Sequence, residues 1–138
     1  MVGSEVFVDS NFWIAAARQP DAQHERAKAL GMEMVGRRAV AVISDMVLAE
    51  VVTFILKRDG HEPARKIMDL LEVNTTVFCV DKSLLSDAMA LLRRFWSPRK
   101  KLSVCDATSY TLMQKRQIEV LYSFDSGFDG LPGITRIC

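Results

Sequence analysis

Short β-prone apolar runs that stop abruptly at a polar or acidic residue, with helical stretches between them, constrain this chain more than any other feature. In Glu5-Val-Phe-Val-Asp9 the apolar residues give way at once to Asp9-Ser10-Asn11. Ala39-Val-Ala-Val-Ile43, Thr75-Thr-Val-Phe-Cys-Val80, Glu119-Val-Leu-Tyr-Ser-Phe124 and Ile134 to Ile137 read as strands of the same kind. Helices are predicted from Ser10 to Ala17 and through Ala27, Leu30 and Met34. A further helix runs from Met46 to about Arg58 behind Ser44 or Asp45 as cap, and another follows Pro63 across Ile67, Leu70 and Leu71. Two more run from Asp81 to about Phe95 and from Ser103 through Arg116. Strands alternating with helices of about 10 to 15 residues imply a parallel sheet covered on both faces, a three-layer α/β/α sandwich of the α/β class.

At 138 residues the chain reads as one domain, 1–138, and 49% hydrophobic with 25% charged residues excludes a disordered or low-complexity protein. Its apolar runs fall short of the ~20 residues of a membrane span. The amino terminus lacks the basic, apolar, small-residue order of a secretory signal, so cytoplasmic residence without a membrane partner is expected. Cys79, Cys105 and Cys138 have no C-x-x-C spacing and read as small apolar residues. His24 and His61 read as surface residues, which leaves a His-based metal site or triad without support. With 18 basic against 17 acidic residues there is no global field for nucleic acid, so any such affinity comes from local patches. The absence of a P-loop and of G-x-G-x-x-G disfavours nucleotide-dependent chemistry.

Four acids fit a purely structural reading poorly. Asp9 and Asp125 follow apolar strands directly, the position at which parallel sheets bind ligands, although helix capping and turn formation are the plainer readings of each. Glu50 sits mid-helix among Val47, Leu48, Ala49, Val51, Val52 and Phe54, where an ionised carboxylate must meet a cation or reach an opening in the surface, with a structural ion pair to Lys57 or a distant Arg as the alternative. Asp106 lies in Ser103-Val-Cys-Asp106, a capping arrangement that accounts for Ser103 better than for the acid. Together they read as a carboxylate cluster, whose mutual repulsion calls for positive charge. An all-oxygen set favours Mg²⁺ or Mn²⁺, and such a centre suits phosphoryl chemistry.

Arg93-Arg-Phe-Trp-Ser-Pro-Arg-Lys-Lys101 precedes Asp106 and offers cations for phosphates and aromatics for stacking; Arg99, Lys100 and Lys101 are its exposed RNA-binding candidates. The plainer reading packs Phe95 and Trp96 in the core while Arg93 and Arg94 complement a helix end.

These residues give the chain a family likeness. Val6-Phe-Val-Asp9-Ser-Asn11, Ile43-Ser-Asp-Met-Val-Leu-Ala-Glu50-Val-Val, Leu102-Ser-Val-Cys-Asp106-Ala-Thr-Ser and Ser123-Phe-Asp125-Ser-Gly-Phe128 agree in order and spacing with the PIN-domain nucleases. Over nearly its whole length the chain resembles, among them, the small VapC-type toxins of toxin–antitoxin pairs. The resemblance implies a PIN-like sandwich around a short parallel central sheet. It further implies a metal-dependent endoribonuclease in which Asp9, Glu50, Asp106 and Asp125 bind Mg²⁺ or Mn²⁺, a metal-activated water cleaves RNA, and the products carry a 5′-phosphate and a 3′-hydroxyl. Asn11 and Ser123 match supporting polar positions, the latter with Ser where Thr is usual. Many relatives carry an extra acid before the phenylalanine, where this chain has Ser126-Gly127, so Asp129 is not assigned to the metal. The resemblance also implies a homodimer and a cognate antitoxin that wraps over helices near the groove and presents an Arg to the acids.

The rivals are weaker. A dehalogenase-like phosphatase needs a second Asp where Asn11 stands, and a phospho-receiver needs an acidic pair where Asp9-Ser10 stands. A non-catalytic PIN-like scaffold for RNA or protein binding is the alternative, disfavoured because all four acids are present.

Overall fold

The computed structural model describes residues 3–99 and 102–138. The chain runs β1 (Glu5–Val8), α1 (Ser10–Ala17), α2 (His24–Gly36), β2 (Val40–Ser44), α3 (Asp45–Asp59), α4 (His61–Asn74) and β3 (Thr75–Phe78). It continues through α5 (Lys82–Phe95), α6 (Val104–Arg116), β4 (Val120–Tyr122), a single 3₁₀ turn at Ser126–Phe128 and β5 (Thr135–Ile137).

All strand pairs are parallel, in the order β3-β2-β1-β4-β5. Phe7 stands at the centre, in register with Val42 on one side and Leu121 on the other. These three residues, with Val8 and Ile43, have no solvent-exposed surface, which requires cover on both faces. From β1 the chain steps through β2 to β3, then returns past β1 to β4. Right-handed crossovers therefore put α1 to α4 on one face and α5 with α6 on the other. The direction reverses between β1 and β4, and in parallel sheets the crevice beyond such a reversal is where ligands bind.

Helix starts follow from the capping side chains. Ser44 Oγ accepts from Val47 N at 3.1 Å and Asp81 from Leu84 N at 2.8 Å, while Gly60, at φ 93°, takes the turn between α3 and α4. The expected strands at 39–43, 75–80 and 119–124 are shifted or shorter. β2 runs one residue later because Ser44 is at once its last residue and the cap of α3. β3 stops at Phe78, and beyond it the Val80 amide turns to Asp45 Oδ1 at 3.0 Å instead of a strand.

One apolar groove, of about 730 Å³, opens on the α1–α4 face between Trp13, Met34, Ile55, Ile67 and Leu70, with Lys28 and Lys66 among its lining. Met32, Val35, Leu70 and Val73 are exposed along α2 and α4. Among the described residues no helix is long and apolar enough to cross a membrane.

Candidate active site

Asp9 follows β1 directly and is almost completely buried. Its Oδ1 accepts from Ser10 N at 2.9 Å, capping α1, and its Oδ2 accepts from Ser123 Oγ at 2.8 Å. Burial, reinforced by the charges of Asp106 and Glu50, pushes its carboxyl up to about 7 against the lowering effect of these two hydrogen bonds.

Ser123, fully buried just past β4, is the hub of the site. Its single hydroxyl proton goes to Asp9, and its oxygen accepts from Asn11 Nδ2 at 3.2 Å and from Asp125 N at 3.1 Å. Asn11 Oδ1 in turn accepts from Phe124 N at 3.0 Å. The two supporting polar residues expected from the sequence thus lace the end of β1 to the end of β4. Asp125 lies half-buried on that lace, its Oδ1 accepting from Gly127 N at 2.8 Å. A Cβ at Gly127 would sit 3.1 Å from that same oxygen, so glycine leaves the acid room.

Asp106 opens α6 in a reciprocal capping box: Ser103 Oγ accepts from Asp106 N at 3.0 Å, and Asp106 Oδ2 accepts from Ser103 N at 3.1 Å. The cap therefore engages the acid as much as the serine, contrary to the sequence reading. Burial, then the charges of Asp125 and Glu50, still raise the Asp106 carboxyl above its ordinary range.

Glu50 reaches the surface, one of the two outcomes its apolar neighbours in sequence allow: it is exposed on α3, whose buried residues are Val47, Val51 and Ile55. It belongs to the centre through a contact that the sequence did not reveal: its Oε1 accepts from Ser10 Oγ. The Cys105 thiol lies against the same carboxylate, and burial with the nearby charges of Glu50 and Asp9 keeps it protonated, in keeping with its reading as a small apolar residue.

The acids therefore share one field: Asp106 and Glu50 act on Asp9, and Asp125 and Glu50 act on Asp106. In type and charge they fit a hard divalent cation, being four oxygen donors, and for Asp9 and Asp106 burial and neighbouring acids disfavour the ionised form until positive charge arrives. Among the described residues no three His, Cys, Asp or Glu side chains close into a preformed metal cage.

Asp129 is committed elsewhere. Arg136 grips it through Nε at 2.8 Å and Nη2 at 3.0 Å, while Nη1 donates to the Ser123 carbonyl at 3.1 Å. His61 is exposed, whereas His24 is half-buried with Nδ1 2.8 Å from the Ala15 carbonyl. Of the basic candidates Arg99 is exposed, and Lys100 and Lys101 lie outside the described residues. Phe95 packs against the core, but Trp96 is 55% exposed, so only half of the core reading for that pair holds. A cleft of about 400 Å³ runs along α3 past Glu50, Thr53, Phe54 and Lys57, and the Arg18 and Arg58 guanidinium groups lie 5.7 and 5.3 Å from the Phe54 ring centre.

A parallel sheet with acids gathered at its reversal point, on an α/β/α sandwich, defines the class. The PIN domain model matches residues 6–134, and the chain belongs to the PIN domain family. Over 124 residues the chain is 33% identical to the 23S rRNA-specific endonuclease VapC20 of Mycobacterium tuberculosis, covering 89% of this chain and 91% of that protein. The crystal structure of M. tuberculosis VapC20, a sarcin–ricin loop cleaving toxin, aligns with a TM-score of 0.82 at 31% identity over 94% of this chain and 96% of that one. VapBC2 from Rickettsia felis, crystallised with a DNA fragment from its promoter, aligns with a TM-score of 0.73 over 96% and 97% of the two chains. Its identity is 13%, so that likeness is one of fold.

Proposed function

We propose that this protein is a metal-dependent endoribonuclease, the toxin of a toxin–antitoxin pair. The observation that carries the reading is the gathering of Asp9, Glu50, Asp106 and Asp125, from four separate elements, beyond the carboxyl ends of β1 and β4. These four residues would hold Mg²⁺ or Mn²⁺. Such a cation supplies an acidified water at neutral pH and a counter-charge for the phosphate and the departing oxygen. The chain's own part is orientation: Ser123 and the Ser10 amide fix Asp9, Asn11 and Ser123 fix the segment bearing Asp125, and the capping box fixes Asp106. Attack of water oxygen on phosphorus with loss of the ribose 3′-oxygen leaves a 3′-hydroxyl and a 5′-phosphate. The likeness to VapC20 makes a 23S rRNA sarcin–ricin stem-loop the first substrate to try.

An antitoxin partner belongs to the same proposal. The apolar groove and the exposed apolar residues of α2 and α4 support it, since contiguous apolar surface of this kind marks a protein interface. The homodimer implied by the resemblance and a cytoplasmic location complete the reading, and light scattering on the purified chain tests the former.

The deciding experiment is cleavage of that stem-loop, beside a mixed RNA pool, in Mg²⁺ or Mn²⁺, with EDTA and Asp106→Asn as controls. Cleavage that needs metal and disappears in Asp106→Asn is the expected result. Parental cleavage by Asp106→Asn overturns the site, and inactivity under every metal in antitoxin-free protein favours the scaffold.

A further inference from the structure

Ser10 opens α1 and is 6% exposed, yet its side chain takes no part in the helix cap. Asp9 makes that cap with the Ser10 amide, at 2.9 Å. The hydroxyl crosses instead to α3 and donates to Glu50 Oε1. One residue thus holds two acids of the centre, Asp9 by its amide and Glu50 by its hydroxyl. Glu50 has particular need of a tether. Asp9, Asp106 and Asp125 each accept a backbone N–H at the start of a helix or turn, whereas Glu50 projects from an exposed turn on a side chain with more rotatable bonds.

We infer that Ser10 is a positioning residue, whose hydroxyl orders the Glu50 carboxylate through Oε1 and leaves Oε2 for the cation. The inference rests on the metal-centre reading given above. A hydroxyl suits the task because it is a neutral donor: it orients a carboxylate without cancelling the charge that recruits the metal, as Lys or Arg would. Hydrogen-bonding partners of ligating carboxylates contribute roughly 10- to 100-fold to metal affinity.

The test is Mn²⁺ binding to the full chain by titration calorimetry, without RNA, for the parent, Ser10→Ala, Ser10→Thr, Glu50→Gln and the double variant Ser10→Ala/Glu50→Gln. Ser10→Ala is expected to weaken Mn²⁺ binding roughly tenfold, with the parental melting temperature in EDTA. Ser10→Thr, which keeps the hydroxyl, recovers most of the affinity, and Ser10→Ala adds nothing once Glu50→Gln is present. Parental affinity in Ser10→Ala beside a weakened Glu50→Gln overturns the proposal. So does an undiminished Ser10→Ala effect in the Glu50→Gln background, or loss of fold in Ser10→Ala, since the cap needs only the amide. Parental affinity in Glu50→Gln itself is a different failure: it removes Glu50 from the metal centre, and this proposal with it.

Discussion

The Ser123 hydroxyl donates to Asp9 Oδ2 at 2.8 Å, a contact between residues 114 positions apart that joins the ends of the two strands flanking the sheet's reversal point. Because Ser123 also accepts from Asn11 and from the Asp125 amide, one oxygen fixes the spacing of two acids. Ser123→Ala leaves buried partners unsatisfied, which costs about 1–3 kcal/mol. Urea denaturation should show that loss together with a large fall in RNA cleavage, while Ser123→Thr, with the hydroxyl kept, stays close to the parent in both.

The Asp9 carboxyl makes stability depend on pH in a definite direction. Raised from 3.8 to about 7, it binds its proton more tightly in the folded than in the unfolded chain. Between those values the unfolded chain holds fewer protons, so metal-free stability falls as pH rises. The penalty is absent below pH 3.8 and complete above about 7. Three units correspond to about 4 kcal/mol. Thermal melts in EDTA from pH 5 to 8 should show the decline, Mg²⁺ should reverse it at pH 8, and Asp9→Asn should flatten the profile while abolishing cleavage. A flat parental profile would count against the buried charge.

Arg136 is a second fastening of the Asp125 segment, clamping Asp129 with a two-pronged grip and the Ser123 carbonyl with its third nitrogen. The pair with Asp129 is partly exposed and worth little by itself, whereas the bond to the carbonyl lies in a half-buried setting. Arg136→Ala should lower unfolding free energy by about 1–2 kcal/mol and reduce cleavage. Arg136→Lys, lacking the planar fork, should rescue neither fully. Denaturant midpoints and initial rates on one RNA report both effects.

Along α3, Lys57 lies two turns beyond Glu50, about 10 Å further along the helix axis. Lys57 shares the cleft with Glu50, and on the proposed nuclease reading that offset suits it to a phosphate neighbouring the one cleaved. Lys57→Glu should weaken RNA binding several-fold in EDTA, where nothing is cleaved, and lower the slope of log affinity against log salt by about 1. An unchanged salt slope in fluorescence anisotropy would take the RNA path off this helix.

Much of this was legible before any coordinates. The period of the apolar runs implies the parallel sandwich, the predicted helix from Ser10 to Ala17 coincides with α1, and Asp9 and Asp125 stand out because strand ends are where such sheets bind ligands. For Glu50 the sequence leaves open a cation or an opening in the surface, and it is the surface that the side chain reaches; Ala49 beside it is exposed too, so composition conceals which side of α3 meets the core. Ser10 and Arg136 escaped notice because their partners lie 40 and 13 positions away and depend on the direction of one side chain, which no periodicity encodes.

Three of the four acids are also fastenings of the backbone: Asp9 caps α1, Asp106 completes the capping box of α6 by holding the Ser103 amide, and Asp125 caps the turn Ser126–Phe128. A lineage that abandons cleavage is therefore not at liberty to drift at these positions. Asparagine or serine keeps a side-chain oxygen for the orphaned amides, whereas alanine frays a helix as it silences the chemistry. Silenced descendants of such a chain should carry that history as Asn or Ser at positions 9 and 106, a fossil of the acids preserved by helix geometry alone.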